Sequence, residues 1–432
     1  MKKIVFVVLI ASLLLMGCAT STPAATAPSG GGGGAASAPV AITFTMWGAP
    51  EELTVWQKVV DDFHAANPNI TVKVDVSDWD SYWTKLNTEV AGGTPPDVFA
   101  MDAPLYLDWQ SRGALLNLKP YIDQTPGFLD NFYPQTLKAY ALPDGYYGLP
   151  RDFQTVVLFY NKDMFDAAGV KYPDDTWTYD DLKAVAKKLT KDTNGDGKID
   201  QYGIWTDTWD MELLWSEAIW ANGGDIVSAD HTKTLIGDAN ALKAWQYIDG
   251  LYKDGMMPKP ATATEYGSDL FQSKNAAMTT IGHWAVPGYV QSGVKFGIAP
   301  MPKGPAGRAT SVNSAGFVVS NKSKNPDAAW AFIKFALSEA GQKRLAELGF
   351  AIPVLKSVAT SDAFLKQPGD LNQQIFLDAL DYAHMKPVFR GYEEWSSAVG
   401  DGLTPVWNGE SDLAPTLDTV VKNADDILAK NK

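Results

Sequence analysis

An α/β fold built on a parallel sheet is what this 432-residue chain predicts, and three observations carry it. Ile42-Thr43-Phe44-Thr45-Met46 alternates apolar and polar residues with the period of two that marks a strand. Leu53, Trp56, Val59, Val60 and Phe63 then recur at helical spacing, and Ile70-Thr71-Val72-Lys73-Val74-Asp75-Val76 returns to strict alternation. Strand, helix, strand in that order demands a parallel pair joined by a right-handed crossover. The length is too great for one core, so two lobes are expected.

The following elements keep the same rhythm. A helix over 80–91 runs into the strand Asp97-Val98-Phe99-Ala100-Met101, and Val156-Val157-Leu158-Phe159-Tyr160 reads as a fully buried strand. Asn161 is placed to cap a short helix over 163–168 that stops at Gly169. Thr178 and Asp181 have capping-box spacing, ahead of Leu182, Val185, Ala186 and Leu189 on one helical face. Asn325-Pro326 opens a helix expected to continue through Trp330, Ile333 and Leu337 to Leu348 before Gly349. Trp56, Trp245 and Trp330 read as helix-face packing residues, and Trp215 and Trp220 as core. No repeat of 20–50 residues is visible, and nothing in 41–432 is apolar enough to span a bilayer.

The N-terminal segment differs from the rest. Lys2 and Lys3 precede an apolar run, Ile4 to Met16, that is shorter than the about 20 residues a transmembrane helix needs. It ends in Leu15-Met16-Gly17-Cys18, which resembles the lipobox of bacterial lipoproteins. That resemblance implies a signal peptide over 1–17, lipidation at Cys18, and attachment to the outer side of the bacterial cell membrane. Residues 18–40, almost all Ala, Ser, Thr, Pro and Gly, cannot bury enough apolar surface to fold and read as a flexible tether. Cys18 is the sole cysteine, so stability must come from the core and not from a disulfide.

Composition removes several function classes. A formal charge of −14 argues against nucleic acid and against a basic membrane-docking patch. His64, His231, His283 and His384 are scattered without metal-ligand spacing, and neither a P-loop nor a G-x-S-x-G elbow is present. Among the acidic residues no pair stands out for glycoside hydrolysis.

Five stretches carry a family resemblance. They are Pro96-Asp97-Val98-Phe99, Leu149-Pro150 with Tyr160-Asn161-Lys162-Asp163-Met164-Phe165, and Ala221-Asn222-Gly223-Gly224. The others are Ala277-Met278-Thr279-Thr280-Ile281-Gly282-His283-Trp284-Ala285, and Gly316-Phe317-Val318-Val319-Ser320 leading to Ser323-Lys324-Asn325-Pro326-Asp327-Ala328-Ala329-Trp330-Ala331-Phe332. In this order they resemble the extracellular solute-binding proteins of carbohydrate ABC importers, the maltose-binding-protein-like family. The resemblance implies the class II periplasmic-binding-protein fold, with a ligand cleft between two α/β lobes joined by hinge segments. Lobe one would be 41–151 with 298–352, and lobe two 152–297 with 353–432. It further implies a monomeric, non-enzymatic receptor with no required cofactor that hands a sugar to the transmembrane subunits of an ABC transporter. A receptor of the same fold for a polyol or glycerol phosphate, and a secreted glycosidase, are the alternatives.

A sugar offers an apolar C–H face and a rim of hydroxyls, so aromatic rings and planar polar groups at strand ends are the candidates. Trp47 and Glu51 follow the first strand, Asp102 follows the strand 97–101, and Arg151-Asp152 stands where the lobes meet. The resemblance adds Trp284 after Ile281-Gly282-His283, Trp209-Asp210 before the Gly223-Gly224 turn, and Arg390 and Trp395 near the C-terminus. Asp192, Asn194, Asp196, Lys198 through its carbonyl, and Asp200 have the spacing of the first nine positions of an EF-hand loop, a candidate structural calcium site. Gly203 stands where the bidentate glutamate would be, so an Asx-rich surface turn is the competing reading.

Overall fold

The computed structural model describes residues 38–431 apart from 209, 268 and 368–370, together with all side chains in that range except that of Glu51. The expected signal peptide and Cys18 lie outside the described residues, as does nearly all of the tether. Among the described residues no helix is long and apolar enough to cross a membrane.

The first sheet is the one the opening pattern implies. Strand Val40–Trp47 pairs in parallel with Ile70–Ser77 through all eight residues, bringing Trp47 opposite Ser77 at the carboxyl ends. On its other side it lies parallel to Val98–Asp102. The sheet continues with Ala315–Val319 and Leu149–Pro150, both antiparallel, so a late segment of the chain completes an early sheet. Phe44 and Met46 point into a core shared with Trp56, Phe63, Phe317 and Phe332, all fully buried.

A second sheet of three strands holds Phe296–Ala299, Val157–Asn161 and Met278–Ile281, all antiparallel. The Asn161 side chain accepts from the Met164 amide, and Gly169 ends that helix at φ +62°. The Thr178–Asp181 capping box is closed in both directions. Around this sheet the helices Trp215–Ala221, Ala239–Lys253, Tyr392–Trp407 and Leu413–Lys430 pack on one another. There Trp245 stacks on Trp407 and meets Trp215 at a tilt of 36°.

The third sheet decides how the two halves are joined. Asp152–Thr155 pairs with Ile352–Pro353 and with Thr310–Asn313, which in turn pairs in parallel with Ala383–Met385. The chain therefore passes between lobes at three places gathered into one short sheet. The strand Phe296–Ala299 belongs wholly to the second sheet, so the return crossing comes at 310–315 and not at 297–298. Likewise the helices Lys356–Ala359 and Asp362–Leu365 pack on Glu339–Glu347 beside the first sheet, so the last crossing follows them.

The helix expected over 326–348 is two helices. Pro326–Ala336 ends at Leu337, and Ser338 caps Glu339–Glu347 by accepting from the Gly341 amide. Gly341 passes so near the Phe335 carbonyl that a Cβ would lie 2.4 Å from its oxygen. The bend lets Gln342 turn inward, where it donates to the Arg151 carbonyl and accepts from the Val354 amide at the lobe junction.

Candidate ligand site

Ligands of open α/β sheets sit beyond the carboxyl ends of the strands. In the first sheet those ends carry Trp47, then Trp79 after Ser77, then Asp102. Trp47 is half-buried and meets Trp79, Tyr82 and Trp83 at centroid distances of 5.0, 5.5 and 5.8 Å. Tyr82 anchors this wall by donating to the Ala100 carbonyl at 2.5 Å. Trp79 stays 37% exposed, the outermost ring of the group. It is a residue the sequence reading missed, although it opens the helix after its strand as Trp47 closes the first.

Arg151 and Asp152 form a buried ion pair at 2.7 Å. The guanidinium lies over Trp47 at 5.9 Å, Trp56 at 5.5 Å and Phe350 at 5.1 Å. Enclosed by rings and closed on its own neighbour, Arg151 braces Trp47 from behind. Such a desolvated cation over aromatic faces contributes about 2 kcal/mol.

A second group of side chains is charged. Asp102 is buried and accepts from the Asn313 side chain at 2.8 Å. Asp210 accepts from the Glu212 amide at 3.0 Å and pairs with the Lys386 ammonium at 3.3 Å, and Lys386 also reaches Glu212 at 3.5 Å. Burial pushes the Glu212 carboxyl up to about 8 against the pull of Lys386, and burial likewise raises Asp102. Behind Glu212, Glu217 accepts from the Ser216 hydroxyl and the Ser311 amide, and burial raises it to about 7. Glu212, Asn313 and Lys386 were not anticipated. No local motif marks them, because a buried lysine is recognisable only by the acids folded around it.

Trp284 stands at the end of Met278–Ile281, 39% exposed. Its indole folds back over Gly282, where a Cβ would lie 1.9 Å from the ring, so only glycine permits this placement. His283 beside it is buried between Phe364 and Phe376, and desolvation lowers it to about 4. Thus neighbouring residues point apart, Trp284 outward and His283 into the core.

Other sequence candidates are placed differently. Trp395 is fully buried, packed on Phe389 and Tyr392, and its indole N–H donates to Thr234 at 3.0 Å. Its helical position turns it into the core, which corrects the expectation of a ligand-stacking ring. Arg390 is exposed in the turn before Gly391 and makes no hydrogen bond or ion pair with the charged cluster among the described residues. Glu51 lies in the first turn of helix Pro50–Ala66 with its side chain outside the described residues, and Trp209 lies outside them entirely.

In the loop 192–200 the expected calcium ligands turn onto the loop itself. Asp192 accepts from the amides of Gly195 and Gly197, Asn194 from Asp196, and Asp196 from Lys198. Asp200 accepts from Thr193, and the amide bond from Gly197 holds the Asp192 carboxyl below its ordinary value. Among the described residues no group of three or more His, Cys, Asp or Glu is arranged to hold a metal ion.

Comparison with known proteins identifies the family. The profile of the bacterial extracellular solute-binding proteins matches residues 58–371. The chain is 26% identical over 360 residues to the maltotriose-binding protein of Pyrococcus abyssi, covering 78% of this chain and 71% of that protein. It is 24% identical over 394 residues to the galactooligosaccharide-binding protein of Bacillus subtilis, covering 86% and 88%. Among solved structures, an ABC substrate-binding protein from Listeria monocytogenes in complex with cycloalternan superposes with a TM-score of 0.82 at 27% identity, covering 91% of this chain and 98% of that one. With the profile spanning well over half of its length, and with two lobes strung on a three-crossing hinge sheet, this chain belongs to the bacterial extracellular solute-binding proteins.

Proposed function

We propose that the protein captures an oligosaccharide outside the cytoplasm and delivers it to the transmembrane subunits of an ABC importer. The observation that carries this is the pairing of surfaces around the hinge. Trp47, Trp79 and Trp284 offer ring faces for the C–H side of pyranoses. Asp102, Asp210 and Glu212 supply carboxyl oxygens for hydroxyls. Maltotriose, galactooligosaccharide and cycloalternan, the sugars named for the relatives, support the carbohydrate class. No step of catalysis is assigned, since the site supplies recognition and nothing in it singles out a nucleophile or an acid–base pair.

Retention at the cell surface through a lipid on Cys18 and the tether 18–40 belongs to the same proposal. A single acyl chain binds a membrane only marginally, so stable anchoring there requires more than one.

Thermal melting with a panel of maltotriose, galactotriose, mannotriose and arabinotriose tests the reading. A sugar bound at a hundred times its Kd adds about 2.7 kcal/mol and raises Tm by several degrees. Stabilisation by a polyol or glycerol phosphate and by no sugar overturns the carbohydrate assignment. Release of smaller sugars from the panel overturns the non-enzymatic one.

A further inference from the structure

Lys386 follows the hinge strand Ala383–Met385, and its amide donates to the Val312 carbonyl at 3.3 Å, so its backbone is part of the hinge. Its side chain is only 4% exposed and ends among groups drawn from both lobes. Asp210 and Glu212 reach it from the turn before Trp215–Ala221, at 3.3 and 3.5 Å. Asp102 faces it from the end of the first-sheet strand, held by Asn313. Tyr392, at the start of helix Tyr392–Trp407, places its ring 5.9 Å away. Glu217 lies one layer behind Glu212, bonded to the hinge strand at Ser311. Arg151 is closed on Asp152 and covered by aromatic rings. This ammonium serves three carboxyls.

We infer that Lys386 is the positioning residue of the ligand site, whose ammonium orients Asp102, Asp210 and Glu212 and ties sugar capture to pH. The inference rests on the carbohydrate reading above. A buried carboxylate without a counter-ion takes up a proton in place of staying charged. In its protonated form it loses acceptor capacity toward a hydroxyl. Glu212 is already pushed up to about 8 with Lys386 present. Removing the ammonium moves Glu212 and Asp102 further up, so at neutral pH Asp102 joins the largely protonated Glu212 in losing acceptor capacity. Lys386 acts through these carboxyls and from a hinge strand, so it also ties their arrangement to the relation between the lobes.

The test is calorimetric titration from pH 6 to 9 with the tightest-binding trisaccharide of the panel, using wild type, Lys386→Met, Lys386→Arg and Glu212→Gln. Wild-type affinity is expected to rise as pH passes through about 8, the region where Glu212 ionises. Lys386→Met is expected to lose about tenfold or more at pH 7 and to regain part of it at pH 9. Lys386→Arg keeps the charge and stays within about threefold of wild type throughout, while Glu212→Gln flattens the profile. A loss in Lys386→Met that is equal at every pH, or no loss, overturns the inference. Should Lys386→Met fail to fold, a Glu212→Gln profile as steep as that of wild type overturns it instead. If wild type binds no member of the panel, the carbohydrate reading fails by itself. Lys386 is then judged on ligand-free melting, where a Glu212→Gln curve with the wild-type pH dependence overturns its role.

Discussion

The aromatic flank of the site and its charged flank are built on opposite principles. Trp47, Trp79, Tyr82 and Trp83 come from 37 consecutive residues, on a strand and on the helix Trp79–Ala91 that follows its parallel neighbour. Their rings hold each other, with Trp109 and Arg151 added from farther along the chain. The charged flank gathers Asp102, Asp210, Glu212, Asn313 and Lys386 from places far apart in the chain, and each is held by a partner from another segment. An aromatic wall survives as local packing. A buried charge cluster exists only while every segment is in place, because each unpaired member costs more than its pair contributes.

The widest separation between the flanks is expected from truncating rings. Trp47→Ala removes a ring that joins the aromatic wall and the Arg151 stack, so sugar affinity falls roughly 30-fold or more, with a lower Tm as well. Trp284→Ala, by contrast, loses about five- to tenfold in affinity and leaves Tm nearly unchanged, since the ring is 39% exposed. Titration calorimetry beside thermal melts of both variants reads this contrast. Equal Tm losses would show that Trp284 is a packing residue after all.

Trp395→Phe sharpens the comparison from the core side. Loss of the bond to Thr234 and of ring volume destabilises by about 1–3 kcal/mol, measured by urea unfolding, with sugar affinity within twofold of wild type. An affinity loss of tenfold at unchanged stability would return Trp395 to the ligand site.

The smallest effect concerns Glu217. Folding raises its carboxyl from 4.5 to about 7, so the folded state keeps a proton that the unfolded chain has released. Its contribution is therefore complete below about pH 4.5 and is lost as pH rises toward 7. Glu217→Gln keeps an acceptor for the Ser311 amide and removes the titration. Its Tm relative to wild type should rise by about 2 °C or more between pH 5 and pH 8. A difference that is flat with pH would place the proton elsewhere. His283 acts in the opposite sense between about 4 and 6.5, favouring the folded state as pH rises, and is common to both proteins.

The readable part of the site was the part tied to strand ends. Trp47 and Asp102 each end a strand of the first sheet and Trp284 follows a strand of the second, so all three stand at strand ends. Asp210 was found through family resemblance and Lys386 was not found, although the two are paired. Lys386 follows three residues of strand in a region without periodicity, and its neighbours in sequence say nothing of its neighbours in space. Trp395 failed for a related reason. A tryptophan at a family-like spacing can present its face to a ligand or to Phe389 and Tyr392, and only the rotation of helix Tyr392–Trp407 chooses.

By itself, the sequence determined the alternating strands and helices, the Asn161, Gly169 and Thr178 caps, and the burial of Trp56, Trp215 and Trp245. Those follow from side-chain periodicity and from local hydrogen bonds a few residues in reach. Tertiary structure alone decided that Ala315–Val319 completes the first sheet and that 152–155, 310–313, 352–353 and 383–385 meet as one hinge. It also decided that a single buried ammonium gathers three acids. Strand partners over 200 residues apart and charges paired out of water are chosen by the burial of the whole chain, where each segment's surface is satisfied only by another's.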